Sequence, residues 1–569
     1  MKARGLYLLL GAPLLCLALL LPSAWYDPLP SAPNVPPAAV NGLLVLRIAI
    51  AGAGAIFLLC SLVGLSFRRL DRAKRFGVPR APDERGDLSR SRARKALWTL
   101  TAVALGLRLF GLDSSLWLDE ITPRNLYADS GLAQIWVSYR SSNNHLLNSL
   151  LVQLSVSVFG EHEWAIRLPA SLFGTATIPA CYWAARLALS RWASLAAALL
   201  LACSYHHVFF SQNSRGYAGY ILWAVVSSVF LIRALAEDRA SDWTGYLAAM
   251  LLCFASIPTA VFVFASHVAV GAAAALLVQL RAGGAGPLVR RLLVVFAAAA
   301  YSAFLLYAVV LPQMLTYIPT VYSEASVGFQ LFSWGFASEV FEGLSAGVGF
   351  APFVAVGVLG GMVGTVGLWD LARRNWLLAT ALLLPNAGLG ACAVFLGYLV
   401  APRFFLLMLI PAAIVFVAGV DAMAGRLLPQ PRPALGLACA VLLSSASLAT
   451  LERYYRVPKQ DFRGAVRYVA ETYSSDTAVI VVDQARGGFR YYAGRFGIPW
   501  ERYVAAKTDA ELERALAEHG ERPVLLVTTL RRILHINSPE AAERIEQDWR
   551  EIRSFPGTIG GGRITIWGR

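Results

Sequence analysis

Charge is scarce in this chain. Of its 569 residues, 15% are Asp, Glu, Lys or Arg and 57% are hydrophobic, and the mean hydropathy is +0.56. Soluble domains carry about 25% charged residues, so the shortfall argues against an ordinary globular protein. Patterned cysteine is also missing. Cys16, Cys60, Cys181, Cys203, Cys253, Cys392 and Cys439 all lie in apolar runs, without CxxC or zinc-ligand spacing. They read as small core residues, not as a disulfide framework or a metal site. No GxGxxG or GxxxxGK is present, so nothing indicates a bound nucleotide. No internal repeat is visible. Acidic residues are the scarcer charge, 35 against 50 basic, which leaves a net charge of +15. In a soluble protein such an excess suggests nucleic acid. Here much of it sits between apolar runs, where it orients membrane segments, and no nucleic acid is expected.

What is present is a series of apolar runs near or above the ~20 residues that cross a bilayer. The chain reads as a polytopic α-helical membrane protein with about 13 transmembrane helices. They fall at roughly 7–24, 41–66, 97–113, 165–189, 192–210, 218–236, 243–258, 260–280, 291–312, 346–368, 377–397, 404–424 and 434–450. The first 25 residues resemble a signal peptide, but "LPSAW" is a poor cleavage site, which favours an uncleaved helix. Segment 68–95 holds eleven Lys/Arg against four Asp/Glu. With it, Arg186/Arg191, Arg233/Arg239, Arg281/Arg290/Arg291, Arg373/Arg374 and Arg426/Arg432 fall on alternate connections. That is the positive-inside pattern of a multi-pass inner (cell) membrane protein whose C-terminus lies outside. Three parts follow: 1–96, two helices and a basic cytoplasmic loop; 97–450, the membrane core with a first outer loop at 114–164; and 451–569, a small extracytoplasmic α/β domain.

Within the outer loop, "LLNSLLVQLSVSVFG" is too short and too polar to span, and suits a helix at the interface. In the tail, "TAVIVVD" and "PVLLVTT" read as buried strands. "TDAELERALAEHG" reads as a helix with a capping-box start at Thr508 and Glu511. "SPEAAERIEQDW" has Ser538 as cap and Pro539 at the first helical position. "RITIWGR" reads as an edge strand.

The stretch "SLWLDEITPR" places Asp119 and Glu120 just beyond an apolar run. A carboxylate at a membrane mouth can serve as a general base, its pKa raised by partial desolvation. Alternatively, Asp119 caps a helix beginning near Ile121. The same outer face gathers further polar residues: Asn143, Asn144, His145 and Asn148; Glu161, Glu163 and Arg167; Gln212, Asn213, Arg215 and Tyr217; Arg403; and Lys459, Asp461, Arg463 and Arg467. Arginine near lipid is costly without an anionic partner and binds phosphate bidentately. Arg403, at a helix start where the dipole disfavours a cation, suits a bound anion. Bland readings stand beside these. Arg167 could snorkel to headgroups, Arg215 could pair with Glu161 or Glu163, and His145 could be a satisfied interfacial histidine. Lys459 and Arg463 could dock the tail on headgroups. His206 and His207 are weak metal candidates.

In order along the chain, "LWLDE", "NNHLLNSLLVQLSVSVFGEHEWAIRLPASLFGTATIPACYWAARL", "SQNSRGYAGY", "APRFF" and "KQDFRGAVRYV" resemble the GT-C superfamily of membrane glycosyltransferases. The similar groups are the family-39-like, dolichyl-phosphate-mannose-protein mannosyltransferase-related and RgtA/B/C/D-like proteins, and the likeness covers about 97–470. The resemblance implies a polyprenyl-phosphate monosaccharide donor, transfer outside the cytoplasm and inversion. It implies Asp119 as the base, with Glu120 orienting it or holding a divalent ion, the one cofactor candidate. Arg215 and Arg403 match positions assigned to the leaving phosphate, and His145 matches the loop histidine. Substrate-binding expectations extend to Asn144, Arg167, Tyr217, Lys459 and Arg463. The acceptor would be an envelope glycan, lipopolysaccharide or lipid A, or a protein. "HLL" stands where many relatives have "HPP", and "QNSR" has Asn213 where the acid of the relatives' "QEAR" could help bind a metal. A lipid-linked glycan flippase would also want cations near lipid phosphates, but transporters show paired repeats with broken helices near midplane. A glycan polymerase or ligase is the nearer alternative.

Overall fold

The computed structural model describes residues 12–18, 39–63, 76, 87–127, 132–139, 141–322, 328–348, 350–427, 432–474, 476–519 and 522–568. Most of the basic segment 68–95 and most of the first expected span lie outside them. The chain is mostly helical, an integral membrane protein. Among the described residues, six helices are long and apolar enough to cross a bilayer, seven if one bent pair counts as a span.

That bent pair corrects the straight fifth span. Helices Arg191–Cys203 and Tyr205–Ser211 meet at Ser204 with a 59° bend. Ser204 caps the second piece, accepting from His207 N. The bend leaves the Ala202 carbonyl to Arg108, whose Nη1 donates to it at 3.2 Å. The short second piece delivers the Gln212–Arg215 turn to the bundle mouth. Residues 346–368 and 377–397, expected as two spans, fall on either side of Asn375, whose non-helical backbone (φ −155°, ψ 82°) divides the stretch Phe350–Leu396 into two helices. This stretch crosses Leu409–Leu427 in backbone contact, because a Cβ on Gly367 or Gly419 would strike the opposite main chain. At the other end of the bundle, basic residues of the connecting loops pair with carboxylates, including Arg233 with Asp242 (3.1 Å) and Arg191 with Asp87 (3.4 Å).

Helix Leu146–Phe159 forms as expected, 14 residues long, and exposes Leu154, Val158 and Phe159. The tail holds a five-stranded sheet. Its strands are β1 (Ala478–Val482), β2 (Tyr503–Ala506), β3 (Val524–Thr529), β4 (Arg550–Phe555) and β5 (Ile564–Gly568), in the order β2-β1-β3-β5-β4. The first three are parallel and the last two antiparallel. "RITIWGR" is therefore not an edge. β5 lies inside the sheet and the edge is β4, whose Arg550, Glu551 and Arg553 face solvent. Charge on an edge strand blocks further pairing, and the same charge hides the strand from a hydrophobic pattern.

β1 is buried on both faces. Ile480 and Val482 pack with Leu512, Leu534 and Ile545. Val479 and Val481 pack with Phe462, Val466 and Phe489, and this cluster continues into Leu116, Ile121, Val152 and Ile166. The tail and the 114–164 loop thus share one apolar core. Each such side chain, when fully buried, contributes about 1.5–3 kcal/mol.

Candidate active site

The acidic pair opens helix Leu118–Tyr127. The helix starts at Leu118, not near Ile121, so Asp119 lies in its first turn and is not its cap. Carboxylates there are favoured by the helix dipole. Capping falls to Glu120, whose Oε2 accepts from Trp117 N at 3.3 Å, the third helical residue reaching back as in half of a capping box. Pro123 has no N–H, which removes the helical donor to the Asp119 carbonyl.

The two carboxylates part company. Glu120 is 1% exposed. Arg167 holds it with two hydrogen bonds, Nε to Oε1 at 2.9 Å and Nη2 to Oε2 at 2.6 Å. Ser214 N donates to Oε1 at 2.8 Å. Arg167 also donates to the carbonyls of Leu112, Ser114 and Ser115. It is an internal strut, not a snorkelling side chain. Burial works to raise the Glu120 carboxyl, but Arg167 and then Lys459 hold it below its ordinary value.

Asp119 is one-fifth exposed and faces the mouth. Arg215 Nη1 pairs with its Oδ2, Arg403 Nη2 lies 3.9 Å from that oxygen, and Asn143 Nδ2 lies 3.5 Å from Oδ1. Arg215 therefore pairs with Asp119 and not with Glu161 or Glu163. Its guanidinium sits 5.2 Å above the Tyr217 ring, and Tyr217 meets His145 edge-on. Gly216 N donates to His145 Nδ1 at 2.8 Å, and His145 Nε2 lies 3.3 Å from Arg215 Nη2. Burial and then Arg215 hold His145 well below the ordinary histidine value, so the ring is neutral. The Nε atoms of Arg215 and Arg403 are buried without a hydrogen-bond partner. Two guanidiniums with unspent donors on one carboxylate leave room for a further anion.

Other expected contacts fall elsewhere. Asn144 is spent inside the loop, donating to the Ile135 and Ser138 carbonyls and accepting from Ser149. Arg463 Nη1 reaches Glu163 at 3.4 Å and Asp113 at 3.6 Å, joining tail to loop. Lys459 is 2% exposed and so does not meet headgroups. Its ammonium donates to Gln212 O at 2.5 Å and lies 4.7 Å from the Phe209 ring centroid.

Burial pushes the Lys459 ammonium down to about 7, Glu120 opposing. Unfolded, the amine keeps its proton to about pH 10.5; folded, it releases it near 7. The unfolded chain thus binds the extra proton between these values, and stability from this group rises with pH across that window. Thermal unfolding in detergent of wild type and Lys459→Met at pH 7 and pH 9 checks this. The wild-type midpoint should gain on that of the variant at pH 9, and a constant difference would refute it.

The donor set does not suit a divalent ion. Both Glu120 oxygens are taken by nitrogens, and Asp119 faces two arginines. His207 Nδ1 is engaged by Arg108 Nη2 at 2.6 Å. Among the described residues no cluster of three His, Cys, Asp or Glu is found. Sequence reasoning missed Ser214, Gln460 and Tyr492, all of which hold the acidic helix or its partner turn. Gln460 and Tyr492 bind backbone N–H groups some 340 or more positions earlier in the chain, a relation that leaves no local pattern.

Residues 145–307 match the family described as dolichyl-phosphate-mannose-protein mannosyltransferase. The match begins at His145 and takes in Arg167, Arg215 and Tyr217, while Asp119 and Arg403 lie outside it. Comparison with curated proteins finds no match. Among solved structures, the chain is similar to ArnT from Cupriavidus metallidurans bound to undecaprenyl phosphate, at 14% identity over 83% of this chain and 97% of that one, with a TM-score of 0.48. The same protein in the apo state gives 13%, 84%, 98% and 0.49. The arabinosyltransferase EmbB from Mycobacterium smegmatis gives 16%, 75%, 36% and 0.35. Over residues 145–307, then, this chain is similar to the dolichyl-phosphate-mannose-protein mannosyltransferase family, one of the GT-C glycosyltransferase families.

Proposed function

We propose that the protein is an inverting glycosyltransferase that moves a monosaccharide from a polyprenyl-phosphate donor to an acceptor hydroxyl outside the cytoplasm. The observation that carries this reading is the Asp119 carboxylate between Arg215 and Arg403 at the mouth of a membrane bundle. Asp119 takes the acceptor proton as the hydroxyl oxygen attacks the anomeric carbon. The bond from that carbon to the phosphate oxygen breaks on the opposite face. The polyprenyl phosphate leaves with its charge held by Arg215 and Arg403. Before the donor arrives the two guanidiniums share Asp119; the incoming phosphate draws them off and frees the base. The thirteen-span topology, with tail and site outside, belongs to the same proposal. The acceptor is a glycan, a lipid such as lipid A, or a protein.

Purified protein in lipid vesicles, offered a panel of polyprenyl-phosphate sugars, tests the reading. Transfer to an acceptor supports it; movement of the donor across the bilayer without transfer supports a flippase instead. Arg403→Ala should weaken binding of undecaprenyl phosphate about tenfold or more, since hydrogen bonds to charged groups are worth about 1.5–3 kcal/mol. Isothermal titration in detergent reads this directly, and an unchanged affinity would remove Arg403 from the phosphate site.

A further inference from the structure

The start of the acidic helix is held from outside its own segment. Leu116 N donates to the Tyr492 hydroxyl at 2.9 Å, and Leu118 N donates to Gln460 Oε1 at 2.9 Å. Leu118 immediately precedes Asp119, and its N–H is among the first-turn donors that no helical carbonyl can satisfy. Gln460 is fully buried, and its amide nitrogen donates to Thr529 Oγ1 at 3.2 Å. Thr529 Oγ1 in turn donates to the Arg563 carbonyl at 3.0 Å. A line of hydrogen bonds therefore runs from the end of β3 to the residue before Asp119. Just beyond the end of β1, the Gly487 carbonyl accepts from Asn125 Nδ2 at 2.9 Å, and a Cβ on Gly487 would lie 3.1 Å from Leu118. The carboxyl ends of β1 and β3, the edge where open parallel sheets commonly seat a ligand, here seat the acidic helix.

Lys459, the neighbour of Gln460, holds the Gln212 carbonyl on the turn that carries Arg215. Two consecutive tail residues thus grip the two segments whose side chains meet as Asp119 and Arg215. From this juxtaposition we infer that Gln460 and Tyr492 are positioning residues, fixing the Asp119 carboxylate against the reacting hydroxyl from the tail domain. The inference rests on Asp119 being the base. Neither residue touches the mouth, so donor binding does not depend on them.

The test is steady-state transfer in vesicles by wild type, Gln460→Leu, Gln460→Glu, Tyr492→Phe and Asp119→Asn. Gln460→Leu keeps the volume and loses the acceptor. Its kcat should fall about tenfold or more, the order expected when a catalytic group is misplaced by a fraction of an ångström. Its KM for the lipid donor should stay within about twofold, because Arg215 and Arg403 remain. Gln460→Glu keeps an acceptor for Leu118 N and, protonated in its buried site, a donor for Thr529 Oγ1, and should recover kcat to within about threefold of wild type, a rescue that mere packing would not give. Tyr492→Phe removes one oxygen and should fold even if Gln460→Leu does not; its kcat should fall about fivefold with KM unchanged. Wild-type kcat in Gln460→Leu or Tyr492→Phe, no rescue by Gln460→Glu, or a loss confined to KM would each overturn the inference. If Asp119→Asn turns over like wild type, the function itself is misread. If Asp119→Asn is inactive while Gln460→Leu and Tyr492→Phe are normal, only the positioning role fails.

Discussion

Asp119→Asn lowers glycosyl transfer at least ~100-fold while the protein stays folded, the low end of what general base catalysis supplies. The amide keeps the shape of the side chain and its hydrogen bonding to Asn143 but cannot take a proton. Arg215 and Arg403 lose the charge they share, so binding of the anionic donor should hold or tighten while kcat collapses. That split marks a group needed in the transition state and not in the ground state. The measurement is transfer with the reactive donor, beside undecaprenyl phosphate binding by the same preparation. An active variant would reduce Asp119 to an ion-pair partner of Arg215 and remove the base from the mechanism.

The largest effect on stability is expected one residue along. Glu120 and Arg167 form a pair in which both side chains are at most 1% exposed. Removing one partner of such a pair leaves an uncompensated buried charge and costs about 3–5 kcal/mol. Arg167→Leu should be the worse of the two singles, since it also strips donors from the carbonyls of Leu112, Ser114 and Ser115. Glu120→Leu leaves the Ser214 and Trp117 amides unmet. The double variant should cost less than the sum, because neither charge is left alone. Denaturant midpoints in detergent for the three variants decide it. If Glu120→Leu is as stable as wild type, the strut is not what holds the loop, and the separation of roles within "DE" fails.

Adjacent carboxylates look alike in sequence, yet successive helix residues point about 100° apart. One turns inward to Arg167 and the other outward to Arg215. Arg167 and Lys459 were similarly ambiguous: a cation next to an apolar run reads as snorkelling, and only burial beside Glu120 identifies a strut. The strands β1 and β3 were legible because they are continuous apolar runs. β4 was not, because its edge position requires the charges that hide it.

By itself the sequence determined that the chain is a helical membrane protein, that its tail is an α/β unit, and that Asp119, His145, Arg215 and Arg403 belong to one polar region. These follow from composition, run length and charge order, which are local properties. Tertiary structure alone decided which carboxylate is free and which is buried, which arginine meets which acid, and that Gln460 and Tyr492 hold the acidic helix from more than 340 positions away. Those outcomes depend on how distant segments satisfy each other's buried donors and charges, which adjacency along the chain does not encode.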